Sequence, residues 1–311
     1  MPSIQINAEG SVPRPHRGKR DLAVRLARIA PDKGSVIVMI HGYKYLPHHP
    51  LHCPHRGMMS RDTRMPASHT PSWPHGLGFE GGHADKGLAV TFGWSARGAL
   101  WAAQRRAVEA GQALAQVLAP LHALRPDQPI HVIGHSMGTE VALETLHHLP
   151  PGVLSRILAL SGVCYGARAY SALATPSGRA AEFFNITSRQ NDLFDVMFEW
   201  LMTAPKPGDR ASGQDMSAPN ALTIELDCHD MLFRLGTLGL TVASSARRVC
   251  HWISYTRSGV MRMHKALLRA PEICSLPRRC AALHKEPTPR FARLLARPSR
   301  AQPLPFGTRS T

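Results

Sequence analysis

No apolar run in this 311-residue chain approaches the ~20 residues that a membrane-spanning helix needs. The opening stretch, MPSIQINAEGSVPRP, lacks the charged-then-apolar layout of a secretory leader. A soluble, cytoplasmic protein is the resulting expectation. Cysteine is also scarce: six residues, at 53, 164, 228, 250, 274 and 280, with no CxxC pair among them. A chain of this length can bury enough core to do without covalent staples, so scattered reduced thiols are expected rather than a disulfide scaffold or a zinc ribbon. Aromatics make up only 6% of the residues and acids are outnumbered, 21 against 37 Lys and Arg, for a formal charge of +16. The surplus gathers at the ends. Residues 1–34 hold seven basic residues against three acids, and residues 271–311 hold eight against two. No patterned basic stripe results, so no specific nucleic-acid partner is expected; the basic ends allow at most weak contact with an anionic membrane surface.

The interior shows alternation. Ser35-Val-Ile-Val-Met-Ile40 is a continuous β-branched run, the pattern of a strand covered on both faces. Gly87-Leu-Ala-Val-Thr-Phe92 is a second. Ser95 is placed to cap a helix whose Leu100, Ala103, Ala107, Gly111, Leu114, Leu118 and Leu121 share one face. Pro129-Ile-His-Val-Ile133 is a third strand, followed by a helix that ends before Pro150-Pro151. Further strands are expected at 157–160, 183–187 and 221–226, with helices near 192–202 and 258–269. Strands alternating with helices imply right-handed βαβ units and a mainly parallel sheet.

In such a sheet ligands sit beyond the carboxyl ends of the strands, and there the chain reads Gly134-His135-Ser136-Met137-Gly138. One hydroxyl stands between two glycines, between a strand and a helix. A sharp strand-to-helix turn forces its central residue into strained backbone, and small flanking residues leave room for the close packing this requires. Ser136 is thereby pushed out as a nucleophile at the start of a helix, where backbone N–H groups favour developing negative charge.

A serine hydroxyl needs a base, and the base needs an orienting group. With this kind of turn the chain order should be serine, acid, histidine. Two acids follow the strand ending Ile186-Thr187: Asp192, in the loop, and Asp195, in the first turn of the next helix, where an acid suits the helix dipole anyway. Asp192 is the expected orienting acid. Among downstream histidines, His229 follows a strand directly, His264 lies within a helix between basic residues, and His251 precedes the final helix; His251 is the expected base. Two N–H donors should hold the oxyanion, one from Met137 and one from Tyr43 in the loop His41-Gly42-Tyr43 after the early strand.

The pieces VIVMIHGYKY, VIGHSMG, ITSRQNDLFD and CHWISY, in this order over residues 35 to about 270, give the chain a resemblance to the α/β-hydrolase superfamily. The resemblance implies a mainly parallel sheet wrapped by helices, in a domain expected over residues 1–270; residues 271–311 lose the apolar pattern and are expected to form a basic, flexible tail. It implies a Ser–Asp–His triad acting on esters, thioesters or amides; the expectation for this chain is a small acyl ester or thioester substrate and no cofactor. An acyltransferase on the same scaffold, or a silent binding scaffold, are the alternatives. One departure is the length of chain between the last strand and His251, about 24 residues. The segment 45–86 is a long insertion, rich in Pro, Gly and His. It carries His48, His49, His52, Cys53, His55, His69, His75 and His83, but at spacings that match no zinc module. The expectation there is a cap or rim over an acyl pocket, without a metal.

Overall fold

The computed structural model describes residues 3–18, 20–30, 33–61, 71–80, 86–213, 216, 218–245, 247–270 and 289–291. His69, His83 and most of the 271–311 segment therefore lie outside the described residues.

Eight strands form one sheet: β1 (Ser3–Glu9), β2 (Val12–Pro15), β3 (Val36–Ile40), β4 (Leu88–Gly93), β5 (Ile130–His135), β6 (Arg156–Leu160), β7 (Glu182–Thr187) and β8 (Ala221–Glu225), in the order β2-β1-β4-β3-β5-β6-β7-β8. Every neighbouring pair is parallel except β1 with β2. This is the helix-flanked, mainly parallel sheet the alternation predicts. Two prolines in β2, VPRP, are tolerated because this strand lies at an edge, where a missing N–H leaves no ladder bond unmade.

The central strands are buried on both faces, and the two faces carry separate cores. Val36, Val38 and Ile40 of β3 point to one; Ile37 and Met39 point to the other. Over the first face lie α1 (Leu22–Ile29), α3 (Leu100–Leu124), α4 (Gly138–Thr145) and α5 (Gly166–Leu173); α6 (Pro176–Ala180) follows, and α7 (Asp192–Leu201) adds Phe198. Over the second lie α2 (Trp73–Gly76), α8 (His229–Thr237), α9 (Ile253–Thr256) and α10 (Val260–Arg269). No described helix is long and apolar enough to cross a membrane. Ser95 is not the cap of α3. Gly98 takes φ 91°, which an α-helix cannot pass through, so the helix starts at Leu100.

The described parts of the 45–86 insertion run into the second core. Met58, Met59, Trp73, Leu77 and Phe79 are buried there, and Trp73 meets Tyr255 edge-on at 5.3 Å. Its histidines have structural partners: His55 is 2.8 Å from Asn7 Oδ1 and 2.9 Å from Thr91 Oγ1, and His48 stacks on His16. From the expected tail, Arg290 and Phe291 are not free: Arg290 pairs with Glu199 at 3.0 Å and the Phe291 N–H donates to Asp192 Oδ2 at 2.6 Å.

Candidate active site

The turn after β5 has the shape its glycines allow. Ser136 sits at φ 54°, left-handed backbone that a non-glycine residue enters only under constraint. A Cβ on Gly134 would lie 2.8 Å from the Gly138 carbonyl oxygen, and one on Gly138 would lie 2.7 Å from the His41 carbonyl oxygen. Only hydrogen fits at either place, and the close fit seats the start of α4 against the end of β3. Gly42 meets the same limit: its Cβ would come within 2.7 Å of Ser136 Cβ. The backbone of the His41–Tyr43 loop is thus in contact with the serine. Ser136 itself is 3% exposed.

A hydrogen-bond chain holds that loop. The Trp94 N–H donates to His41 Nε2 at 3.0 Å, so the His41 proton lies on Nδ1, which donates to the Gly42 carbonyl at 2.8 Å. Trp94 Nε1 donates in turn to the His41 carbonyl at 3.0 Å. The two halves of a trans peptide face opposite ways, so anchoring the Gly42 carbonyl fixes the direction of the Tyr43 N–H. Among the described residues the amides of Tyr43 and Met137 have no backbone acceptor. Both are free to donate to a bound group.

His251 arrives from the long excursion after β8. Its Nε2 stands 2.9 Å from Ser136 Oγ. Neighbouring strands are about 4.8 Å apart, so β5 and β7, separated by β6, leave about 10 Å between the serine and the loop after β7. The imidazole spans that gap. Its Nδ1 donates at 2.6 Å to Asn191 Oδ1. Several contacts hold it there. The Cys250 N–H donates to the Gln190 carbonyl at 2.9 Å, tying the histidine loop to the asparagine loop. Asp227, after β8, accepts from Ser188 Oγ at 2.5 Å and from the Arg189 N–H at 2.7 Å. His135 Nε2 donates to the His251 carbonyl at 3.1 Å, and Phe194 lies 4.7 Å from the His251 ring.

Asp192 does not take the place expected of it. It is the first residue of α7, one position beyond Asn191, and successive residues of a helical run project about 100° apart. Its carboxyl turns to Arg189, at 3.1 Å, and to the Phe291 N–H. The group facing His251 is Asn191, the last residue of a 3₁₀ turn over Arg189–Asn191, whose Nδ2 donates to Asp195 Oδ1 at 2.9 Å. The preference for a carboxylate passed over it, although it stands beside the expected residue. His229 opens α8 with its side chain 93% exposed, and His264 is buried in α10, donating through Nε2 to the Ser254 carbonyl at 2.7 Å.

The electrostatics follow from burial. Desolvation pushes His251 well below the ordinary histidine range, with His135 adding to the effect. Burial lowers His41 and His135 to about 4, so both are neutral at pH 7. Burial raises Asp195 well above the carboxylate range, and neighbouring Asp192 raises it further.

Residues 19–152, from just before α1 through the serine turn and α4, match a family described as alpha/beta hydrolase of unknown function (DUF900). No curated protein matches the chain.

Proposed function

We propose that this chain, whose residues 19–152 match an alpha/beta-hydrolase family and whose sheet is mainly parallel, is a serine hydrolase that cleaves carboxylic esters or thioesters through an acyl-enzyme on Ser136. The observation that carries this reading is the 2.9 Å contact between His251 Nε2 and Ser136 Oγ, with the opposite ring nitrogen donating to Asn191. That donation keeps the proton on Nδ1 and leaves the Nε2 lone pair aimed at the hydroxyl, which is the tautomer a general base needs.

His251 takes the serine proton as Oγ attacks the substrate carbonyl. The resulting oxyanion is met by the amides of Tyr43 and Met137, at the start of α4, in a site where little water weakens them. Collapse breaks the bond to the alkoxide or thiolate, which leaves with the proton from His251. Water then attacks the acyl carbon as His251 takes its proton, and collapse breaks the bond to Oγ, which regains that proton from His251 as the acid leaves. No cofactor enters any step. Phe194 and the half-exposed Trp252, whose rings lie 4.7 Å and 6.4 Å from that of His251, give its surroundings an apolar character suited to an acyl substrate.

The test is a fluorophosphonate probe combined with hydrolysis of p-nitrophenyl acetate. Wild-type protein should be labelled on Ser136 and should turn over the ester. Ser136→Ala should take no label and lose on the order of 10⁴-fold in rate, because the members of such a set act as a unit. Residual activity above about a tenth of wild type would show that another group performs the attack.

A further inference from the structure

An amide in the place of the usual carboxylate raises a problem that the described structure also answers. An asparagine side chain can present either its oxygen or its NH₂ group to a neighbour. Turned the wrong way, Asn191 would place N–H donors against His251 Nδ1. The ring would then be stable only with its proton moved to Nε2, and the lone pair that must accept the serine proton would be gone. In a well-studied triad, exchange of the acid for an amide lowers turnover about 10⁴-fold for this reason.

We propose that Asp195 is a positioning residue of this site: by accepting from Asn191 Nδ2 it fixes the amide so that Oδ1 faces His251. The proposal rests on the serine-hydrolase reading and deepens it. Residues 191 and 195 are four apart at the start of α7, a spacing that puts both side chains on one face of a helix. Their contact measures 2.9 Å, and it continues directly into the 2.6 Å contact between Asn191 and His251 and the 2.9 Å contact between His251 and Ser136. Asp195 is wholly buried, at 0% exposure. Its second oxygen has no hydrogen-bond partner among the described residues, so Oδ2 contributes nothing to an alternative network. Backbone has withdrawn to make room: a Cβ on Gly213 would fall 2.1 Å from Asp195 Oδ2, and only glycine fits there. A half-satisfied carboxyl in a protein interior is unfavourable for folding. An acid that served the helix dipole would do so at the surface, facing backbone N–H groups. Asp195 instead spends its one hydrogen bond on the side chain that holds the base.

The geometry makes a claim about coupling that a purely structural role does not. Asparagine has a wrong way round; aspartate, with two equivalent oxygens, does not. Asp195→Ala should therefore lower kcat for p-nitrophenyl acetate roughly 10- to 100-fold with KM little changed, as expected for loss of base orientation. In the Asn191→Asp background the same substitution should cost nothing, or raise the rate by removing a neighbouring acid. Asp195→Asn keeps an acceptor at the position and should stay within about threefold of wild type. If Asp195→Ala does not fold, Asp195→Leu fills the volume without the acceptor and replaces it in both backgrounds. Equal losses in the two backgrounds, or no loss in either, overturn the proposal. Fluorophosphonate labelling separates the two readings: an unlabelled wild-type protein removes the serine-hydrolase assignment itself, while a labelled one with equal losses removes only the role of Asp195.

Discussion

Replacing Gly42 by alanine adds one methyl group at the most crowded point of the site. The new carbon would stand 2.7 Å from Ser136 Cβ, 2.9 Å from the His135 carbonyl oxygen and 3.1 Å from His135 Nδ1. Carbon atoms prefer separations of about 3.5–4.0 Å, so something must move by roughly 0.8 Å or more. All three of these atoms belong to the serine turn, which is already held in left-handed backbone and packed through Gly134 and Gly138. The loop is pinned too, because His41 is bonded to both nitrogens of Trp94. Whichever side yields, the Tyr43 amide and the serine separate, and a donor that must sit within about 2.7–3.1 Å of the oxyanion is lost. Loss of one such donor typically costs about 10²–10³ in kcat, or about 2.7–4 kcal/mol of transition-state stabilisation. Overpacking should add about 1–3 kcal/mol of lost stability. The assay is kcat and KM on p-nitrophenyl acetate with the rate of fluorophosphonate labelling and a thermal melt. Gly236→Ala serves as the control. Gly236 lies in α8 with nothing within 4 Å of its would-be Cβ, so alanine there should leave the rate unchanged and stability equal or slightly better. If Gly42→Ala keeps kcat within about threefold of wild type, the His41–Tyr43 loop does not supply the oxyanion donor.

His251→Ala should be nearly as damaging as loss of the serine, whereas His229→Ala, at an exposed helix start, should change ester hydrolysis less than about twofold; the reverse order would assign the base elsewhere. Because burial holds His251 well below the ordinary histidine range, the acid limb of the kcat/KM profile should fall below pH 6.5, and a limb at or above that value would contradict the buried, neutral base. Acid should unfold the protein early: His41, His135 and His264 are neutral in the native state down to about pH 4, while unfolded histidines protonate near pH 6.5. The stability these residues provide is thus present above about pH 6.5 and lost as pH falls towards 4, at up to ~1.4 kcal/mol per pH unit for each, and a melting temperature that stays flat from pH 6.5 to 4.5 would refute this.

The sheet was legible because its strands are buried on both faces and so read as unbroken apolar runs; VIVMI and the run before Ser136 could hardly be anything else. The N-terminal hairpin was harder. In Ser3-Ile-Gln-Ile-Asn7 the period of two is present, but its partner β2 is only four residues long and contains two prolines, which only an edge position makes acceptable. The 45–86 insertion resisted reading for a different reason. Met58, Met59, Trp73, Leu77 and Phe79 pack as loop residues and single turns, so their burial follows neither the helical nor the strand period. Composition marked the histidines there as unusual. It could not show that His55 reaches across to Asn7 and Thr91, two strands that meet it only in the folded sheet.

The serine turn and the His41–Tyr43 loop could be picked out because each is a local pattern placed at a strand end, and His251 because it precedes the final helix. The group that meets His251 Nδ1 could not, since its identity depends on where a helix begins to the nearest residue. Within Gln190-Asn191-Asp192, the difference between the side chain that meets His251 and the one that meets Arg189 is a single step of about 100°. Chemistry favours the carboxylate at that step, and a carboxylate would have been a stronger partner for an imidazolium. The local backbone decides otherwise. Ser188 Oγ accepts from the Gln190 N–H at 3.1 Å and opens the 3₁₀ turn, Asp227 grips Ser188 and Arg189, and Arg189 then draws Asp192 away. With Asp192 paired to Arg189, Asn191 is left facing the histidine, and an amide at that position has a direction that something must set. Asp195, one turn further along the same face, is where the chain has a group able to set it.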